Sequence, residues 1–256
     1  MDSTISEMFI SAIPTHDGGR ISIIYTKTYM ELYHCLNRGV EKRIIFQDSM
    51  DHARFVHDMY EFNDVAPAGN AYRLFRAGDI PEATMMEIRP PSLRTRKRIV
   101  DVHGWCLMGN HYHLLLSERV DGGLSLFLRK LNVGYAMYFN EKYKRQGTLF
   151  QGRTKKIHIN SDAHFLHILH YIHLNPLDFL KGAEQWRTLE IKNAKTALAH
   201  LEKYRWSSYL DYCGKKNFPS VLTKDLFGDV FKNYPKTIGV YLKDLELASI
   251  KPYLLE

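Results

Sequence analysis

Cysteine is scarce: Cys35, Cys106 and Cys213 are odd in number and widely separated among 256 residues. That excludes a disulfide framework and a CxxC metal pair, and it suits a reducing cytoplasm. Long apolar runs are absent too. None approaches the ~18 residues that a membrane-crossing helix needs. The opening stretch, MDSTISEMFISAIPTHDGGR, has no basic region followed by an apolar one, so no secretory leader is expected. No repeat recurs at solenoid periods. Acid is outnumbered, with 28 Asp and Glu against 35 Lys and Arg, giving a net charge of +7. The resulting pI of about 9.1 points toward nucleic acid or another anionic partner.

What is present reads as a globular chain. Hydrophobic residues make up 45% and charged residues 25%, enough for a sizeable core in one domain or two. Residues 1–28 form an irregular lead-in. Residues 29–37 read as a strand ending at Asn37-Arg38-Gly39, and residues 49–63 as a helix with Ser49 able to cap it. Residues 64–98 are broken by six glycines and prolines and read as an insertion with a short helix near 83–88. Its end carries Arg89, Arg94, Arg96, Lys97 and Arg98 without an acid.

The clearest hairpin pairs residues 99–108 with 111–117 across Gly109-Asn110. Leu114-Leu115-Leu116 suits a strand buried on both faces. Residues 123–143 keep apolar side chains at helical spacing, 149–159 read as a strand, and 161–175 as a helix capped by Asn160 or Ser161. This order predicts an α+β fold, a ferredoxin-like antiparallel sheet with helices on one face, spanning 29–215. Residues 216–256 are read as a C-terminal extension.

The chemistry concentrates in two segments. In a strand, His111 and His113 project to the same side and Tyr112 to the other. Two neutral imidazoles so placed make half of a divalent-metal site, although two strand histidines without any ligand are the simpler interpretation. On the helix at 161–175, His164, His167, Tyr171 and Asn175 fall within about 80° at 100° per residue. Phe165, Ile168, Leu169 and Ile172 lie beside them as an anchor to the sheet. Tyr171 therefore stands at the edge of the buried stripe, and Asn175 can offer its oxygen to the same metal. A phenol with an ordinary pKa of about 10 is a weak nucleophile. A divalent ion that polarises a phosphoryl group would let it attack.

The stretches YHCLNRG, WCLMGNHYHLLL, LFQGRTKK, HYIHLNP and YRWSSY, in that order, resemble the REP-associated tyrosine transposases of the HUH single-tyrosine superfamily. The resemblance covers roughly 29–215, and NHYHLLL and YIHLNP are its most specific pieces. It implies a ferredoxin-like fold, His111 and His113 as metal ligands, Asn175 as the third ligand, and Tyr171 as the nucleophile. It implies Mg2+ or Mn2+ as cofactor. It also implies single-stranded DNA with an imperfect hairpin as partner, cut and rejoined through a covalent phosphotyrosine. The chain departs from the family at Gly109, where a proline is common, and in the long insertion at 64–98.

Other residues have competing interpretations. Lys142, Lys144, Arg145, Arg153, Lys155 and Lys156, with Tyr143 and Phe150 interleaved, suit a single-strand groove or a merely solvated loop. Tyr135 and Tyr138 read as core, Tyr143 as a DNA contact, His103 as locally bonded, and His170 and His173 as solvated. His167 can orient Tyr171. Tyr204, Trp206 and Tyr209 suit packing or base stacking. A catalytically silent DNA-binding regulator and a metal-dependent phosphoesterase remain as rivals, and the chain is expected to act as a monomer or homodimer in the cytoplasm.

Overall fold

The computed structural model describes residues 31–67, 96–183, 186–188, 191 and 193–244. The lead-in at 1–28, most of the insertion and the short helix near 83–88 lie outside them. Strands β1 (Leu32–Arg38), β2 (Val100–Leu107), β3 (His111–Glu118) and β4 (Lys155–His158) alternate with α1 (Ser49–Glu61) and α2 (Gly123–Lys142) in βαββαβ order. The sheet runs β2-β3-β1-β4 with every neighbouring pair antiparallel. This is the expected ferredoxin-like α+β arrangement.

Strand alternation sorts the core into two halves. Cys35, Trp105, Leu107, Tyr112, Leu114 and Leu116 face α1 and α2 together with Phe55, Phe127, Leu131 and Tyr135. Leu32, Cys106, Met108 and Leu115 face the other way, onto α3 (Asp162–Leu174), against Phe165, Leu169 and Ile172. The two crossover helices thus share one face as expected. The third helix adds a layer on the opposite face, because β3 presents leucines to both sides. Each fully buried leucine or isoleucine contributes about 1.5–3 kcal/mol.

Local chemistry sets the ends of the helices. Asp48, one residue before the expected Ser49, caps α1 by accepting from the Asp51 amide at 2.9 Å. Ser161 caps α3 by accepting from the His164 amide at 3.3 Å. Past Leu174 the chain tightens into a 3-10 turn, Asn175–Phe179, with Pro176 near its start. A Cβ on Gly104 of β2 would stand 2.7 Å from Leu169 Cδ1, so the missing side chain lets α3 lie close on the sheet.

Residues beyond α3 extend the same core. They form a 3-10 turn at Trp186–Thr188, then α4 (Ala194–Leu201), α5 (Tyr209–Tyr212), α6 (Asp225–Val230) and α7 (Tyr234–Asp244). Phe227 stacks on Phe165 with ring centroids 4.6 Å apart. This cover overturns the solvated reading of His170 and His173, which are both buried. His173 shares hydrogen bonds with Tyr234 Oη at 2.6 Å and Ser208 Oγ at 2.7 Å. Tyr135 and Tyr138 are core, as expected. The half-buried Tyr143, expected as a DNA contact, donates its hydroxyl to buried Asp51 at 2.7 Å and so also has a structural role. Among the described residues, no helix is long and apolar enough to cross a membrane.

Candidate active site

The β1–β3 register places Leu36 opposite His113 and Arg38 opposite His111. Tyr112 drops into the α1/α2 half of the core, so His111 and His113 face α3. Their ring centroids are 4.9 Å apart and nearly perpendicular, at 82°. Each ring has its Nδ1 engaged. His111 Nδ1 lies 2.6 Å from Asn110 Oδ1, and His113 Nδ1 lies 2.9 Å from His34 Nε2. An acceptor-only carboxamide oxygen requires a proton on His111 Nδ1, which leaves the lone pair on Nε2.

Burial controls the charge of these rings. It holds His34 down to about 3 and His111 down to about 4, with the Arg38 charge pushing His111 the same way. Burial also holds His113 well below the ordinary imidazole value, reinforced by the neighbouring histidines, Arg187 and Arg38. All three are neutral near pH 7, the form that donates a lone pair to a metal.

Tyr171 of α3 closes the site from the other side. Its ring centroid is 5.8 Å from that of His113 at 90°, and 6.0 Å from that of His34 at 77°. It is only 2% exposed. Trp186 lies 5.7 Å from its ring, and the Arg187 guanidinium lies 6.0 Å from the ring centroid. Asn175 is fully buried. Its Nδ2 donates to the Tyr171 carbonyl at 2.9 Å, and its Oδ1 accepts from Arg187 Nη2 at 3.0 Å. Arg187 also grips both oxygens of Asp178, at 2.6 and 3.1 Å. The structure therefore brings His111, His113, Tyr171 and Asn175 to one place. It adds His34, Arg187, Asp178 and Trp186, which the sequence reading did not assign.

Among the described residues, no group of three or more His, Cys, Asp or Glu side chains is arranged to hold a metal ion. A metal here would rest on the Nε2 atoms of His111 and His113 and on Asn175. Two neutral imidazoles with anchored Nδ1 atoms fit that role. The Asn175 oxygen, as it stands, accepts from Arg187 Nη2 at 3.0 Å. His167 turns away, toward Tyr241 of α7, with ring centroids 5.4 Å apart.

The basic segment divides. Lys142 Nζ sits 2.7 Å from both Asp48 and Asp51, acids contributed by the start of α1. Arg145 donates to Asn140 at 2.6 Å. Lys156, opposite Cys35, faces α2 and donates to Ser125 at 2.7 Å. Lys155 pairs with Leu36, which places it on the histidine face, exposed. Lys144 and Arg153 are also exposed. Of the second basic run, Arg96 stacks 3.7 Å over Tyr60, and Arg98 pairs with Asp101 at 3.1 Å. Tyr204, Trp206 and Tyr209 pack: Tyr204 donates to the Leu107 carbonyl at 2.5 Å, Trp206 stacks on His52, and Tyr209 is buried. His103 bonds locally to Ser117 at 2.7 Å.

No protein-family model and no curated protein matches the chain. Among solved structures it is similar to a REP-associated tyrosine transposase bound to a REP hairpin, at a TM-score of 0.42 and 11% identity. That likeness covers 80% of this chain and 93% of the other. A likeness of that depth assigns neither family nor activity.

Proposed function

We propose that this chain is a metal-dependent transposase of the HUH type that cuts and rejoins single-stranded DNA, with Tyr171 as its nucleophile. The observation that carries the reading is the convergence of the Tyr171 ring on His113, 5.8 Å away and edge-on, within a cluster of neutral imidazoles. His111, His113 and Asn175 would hold Mg2+ or Mn2+. When bound, the ion would polarise a phosphoryl oxygen and neutralise charge in the transition state.

The protein's own residues do the remainder. The Tyr171 oxygen forms a bond to phosphorus, a P–O bond of the DNA breaks, and the phenolic proton ends on the departing DNA hydroxyl. The phosphodiester energy is retained in the phosphotyrosine, so a later DNA hydroxyl can reverse the step. Lys155, Arg153 and Lys144 are exposed cations able to track a DNA backbone.

The test is incubation of the full chain with hairpin-bearing single-stranded DNA and Mn2+. A covalent protein–DNA adduct mapping to Tyr171 is expected, and Tyr171→Phe abolishes it while still binding DNA. An adduct on another residue, or one that persists in Tyr171→Phe, sinks the assignment. The burial of Tyr171 and the Arg187 contact to Asn175 favour a second reading, a catalytically silent DNA-binding regulator. DNA binding without any adduct would select it.

A further inference from the structure

We propose that His34 is a positioning residue that selects the ligand-competent tautomer of His113; this rests on reading His111 and His113 as metal ligands. The two rings share a hydrogen bond across 2.9 Å, with planes only 17° apart, so the contact is edge to edge. Both are buried. His34 sits on β1 beside Leu36, the residue opposite His113, so strand pairing holds the two imidazoles in place.

A neutral imidazole carries one N–H and one lone pair. For His113 to present a lone pair at Nε2, its proton must lie on Nδ1 and be donated to His34 Nε2. The proton of His34 then lies on its own Nδ1. The opposite arrangement, with His34 Nε2 donating, puts the His113 proton on Nε2 and blocks it as a ligand. His111 faces no such choice. Asn110 Oδ1 can only accept, and its amide is oriented by Nδ2 donating to the Lys42 carbonyl at 3.3 Å. His34 Nδ1 is buried and has no hydrogen-bond partner among the described residues. The shared bond is therefore the contact through which His34 acts on the His113 ring. Partners that orient a ligating histidine through its second nitrogen typically change metal affinity about 10- to 100-fold when removed.

Mn2+ binding by calorimetry and the 15N spectrum of the metal-free full chain test this. His34→Phe, which cannot accept, should bind Mn2+ about 10- to 100-fold more weakly. His34→Gln, whose carboxamide oxygen can accept from His113 Nδ1, should stay close to wild type, which a general packing role would not produce. Metal-free wild type should carry the His113 proton on Nδ1, a readout that does not depend on any variant folding. A proton on Nε2, or wild-type Mn2+ affinity in His34→Phe while His113→Ala binds none, overturns the inference alone. Mn2+ binding that is absent or indifferent to His113→Ala overturns the ligand reading and this inference with it.

Discussion

The guanidinium of Arg187 donates to the side-chain oxygen of Asn175 across 3.0 Å, while its other contacts grip Asp178. A cation thus holds one of the three groups proposed to receive a metal. Its field also reaches the other two, since the Arg187 charge helps lower the proton affinity of both His111 and His113. Replacing Arg187 by Gln removes a positive charge that opposes the dication, releases the Asn175 oxygen, and leaves the Asp178 carboxylate without the Arg187 counter-charge while Trp186 Nε1 still donates to it at 2.6 Å. All three changes have the same sign. Arg187→Gln should therefore bind Mn2+ about tenfold more tightly, a modest fraction of the Coulomb energy available at such distances. Calorimetric titration at pH 7.5 checks it, and equal or weaker binding would show that Arg187 belongs to the working site rather than standing in the metal's place.

The buried histidines make stability depend on pH. Burial holds His34 to about 3, His103 to about 4 and His170 to about 3. Each sits near 6.5 in the unfolded chain. Their folded values are depressed, so the unfolded state binds more protons below pH 6.5, and stability falls as the solution is acidified. Each group costs up to about 1.4 kcal/mol per pH unit between its two values. Three together remove about 4 kcal/mol per unit, against an ordinary total of about 5–15 kcal/mol. Urea midpoints should be level from pH 8 to 7, drop steeply below 6.5, and vanish between about pH 5 and 3. A midpoint at pH 5 equal to that at pH 7 would mean that these rings are protonated in the folded protein.

Much of this arrangement was legible because it is local. Period two puts His111 and His113 on one side of β3, and helical period puts Tyr171 and Asn175 on one side of α3. The Gly109-Asn110 turn fixes the hairpin register that joins β2 to β3. What pairs with β1 is not local. His34 stood in plain view within YHCLNRG, but alternation gives parity and not the partner strand. Its contact with His113 needed the β1–β3 register. Arg187, Asp178 and Trp186 come from a stretch without a clear period, and only tertiary packing brings them to Tyr171. The burial of His170 and His173 likewise depends on α5 and α7, whose Tyr209, Tyr212, Tyr234 and Tyr241 pack on them from positions remote in sequence from α3.

The basic segment offers the last separation, between charge that holds the fold and charge that meets DNA. Lys142 lies between Asp48 and fully buried Asp51. Asp51 also accepts from the Tyr138 and Tyr143 hydroxyls and the Gln47 amide. Lys142→Gln leaves that carboxylate short of its counter-charge inside the core, which should cost about 2 kcal/mol. The salt dependence of DNA binding should be unchanged. Lys155→Gln, on the exposed histidine face of β4, should move stability by less than about 0.5 kcal/mol. It should instead make the slope of log affinity against log salt for single-stranded DNA shallower by about 0.7, one phosphate contact. Urea melts and salt titrations of the two variants give both readings. If Lys142→Gln leaves the melt unchanged and flattens the salt slope as Lys155→Gln does, then Lys142 leaves its carboxylates for DNA and belongs with the exposed cations.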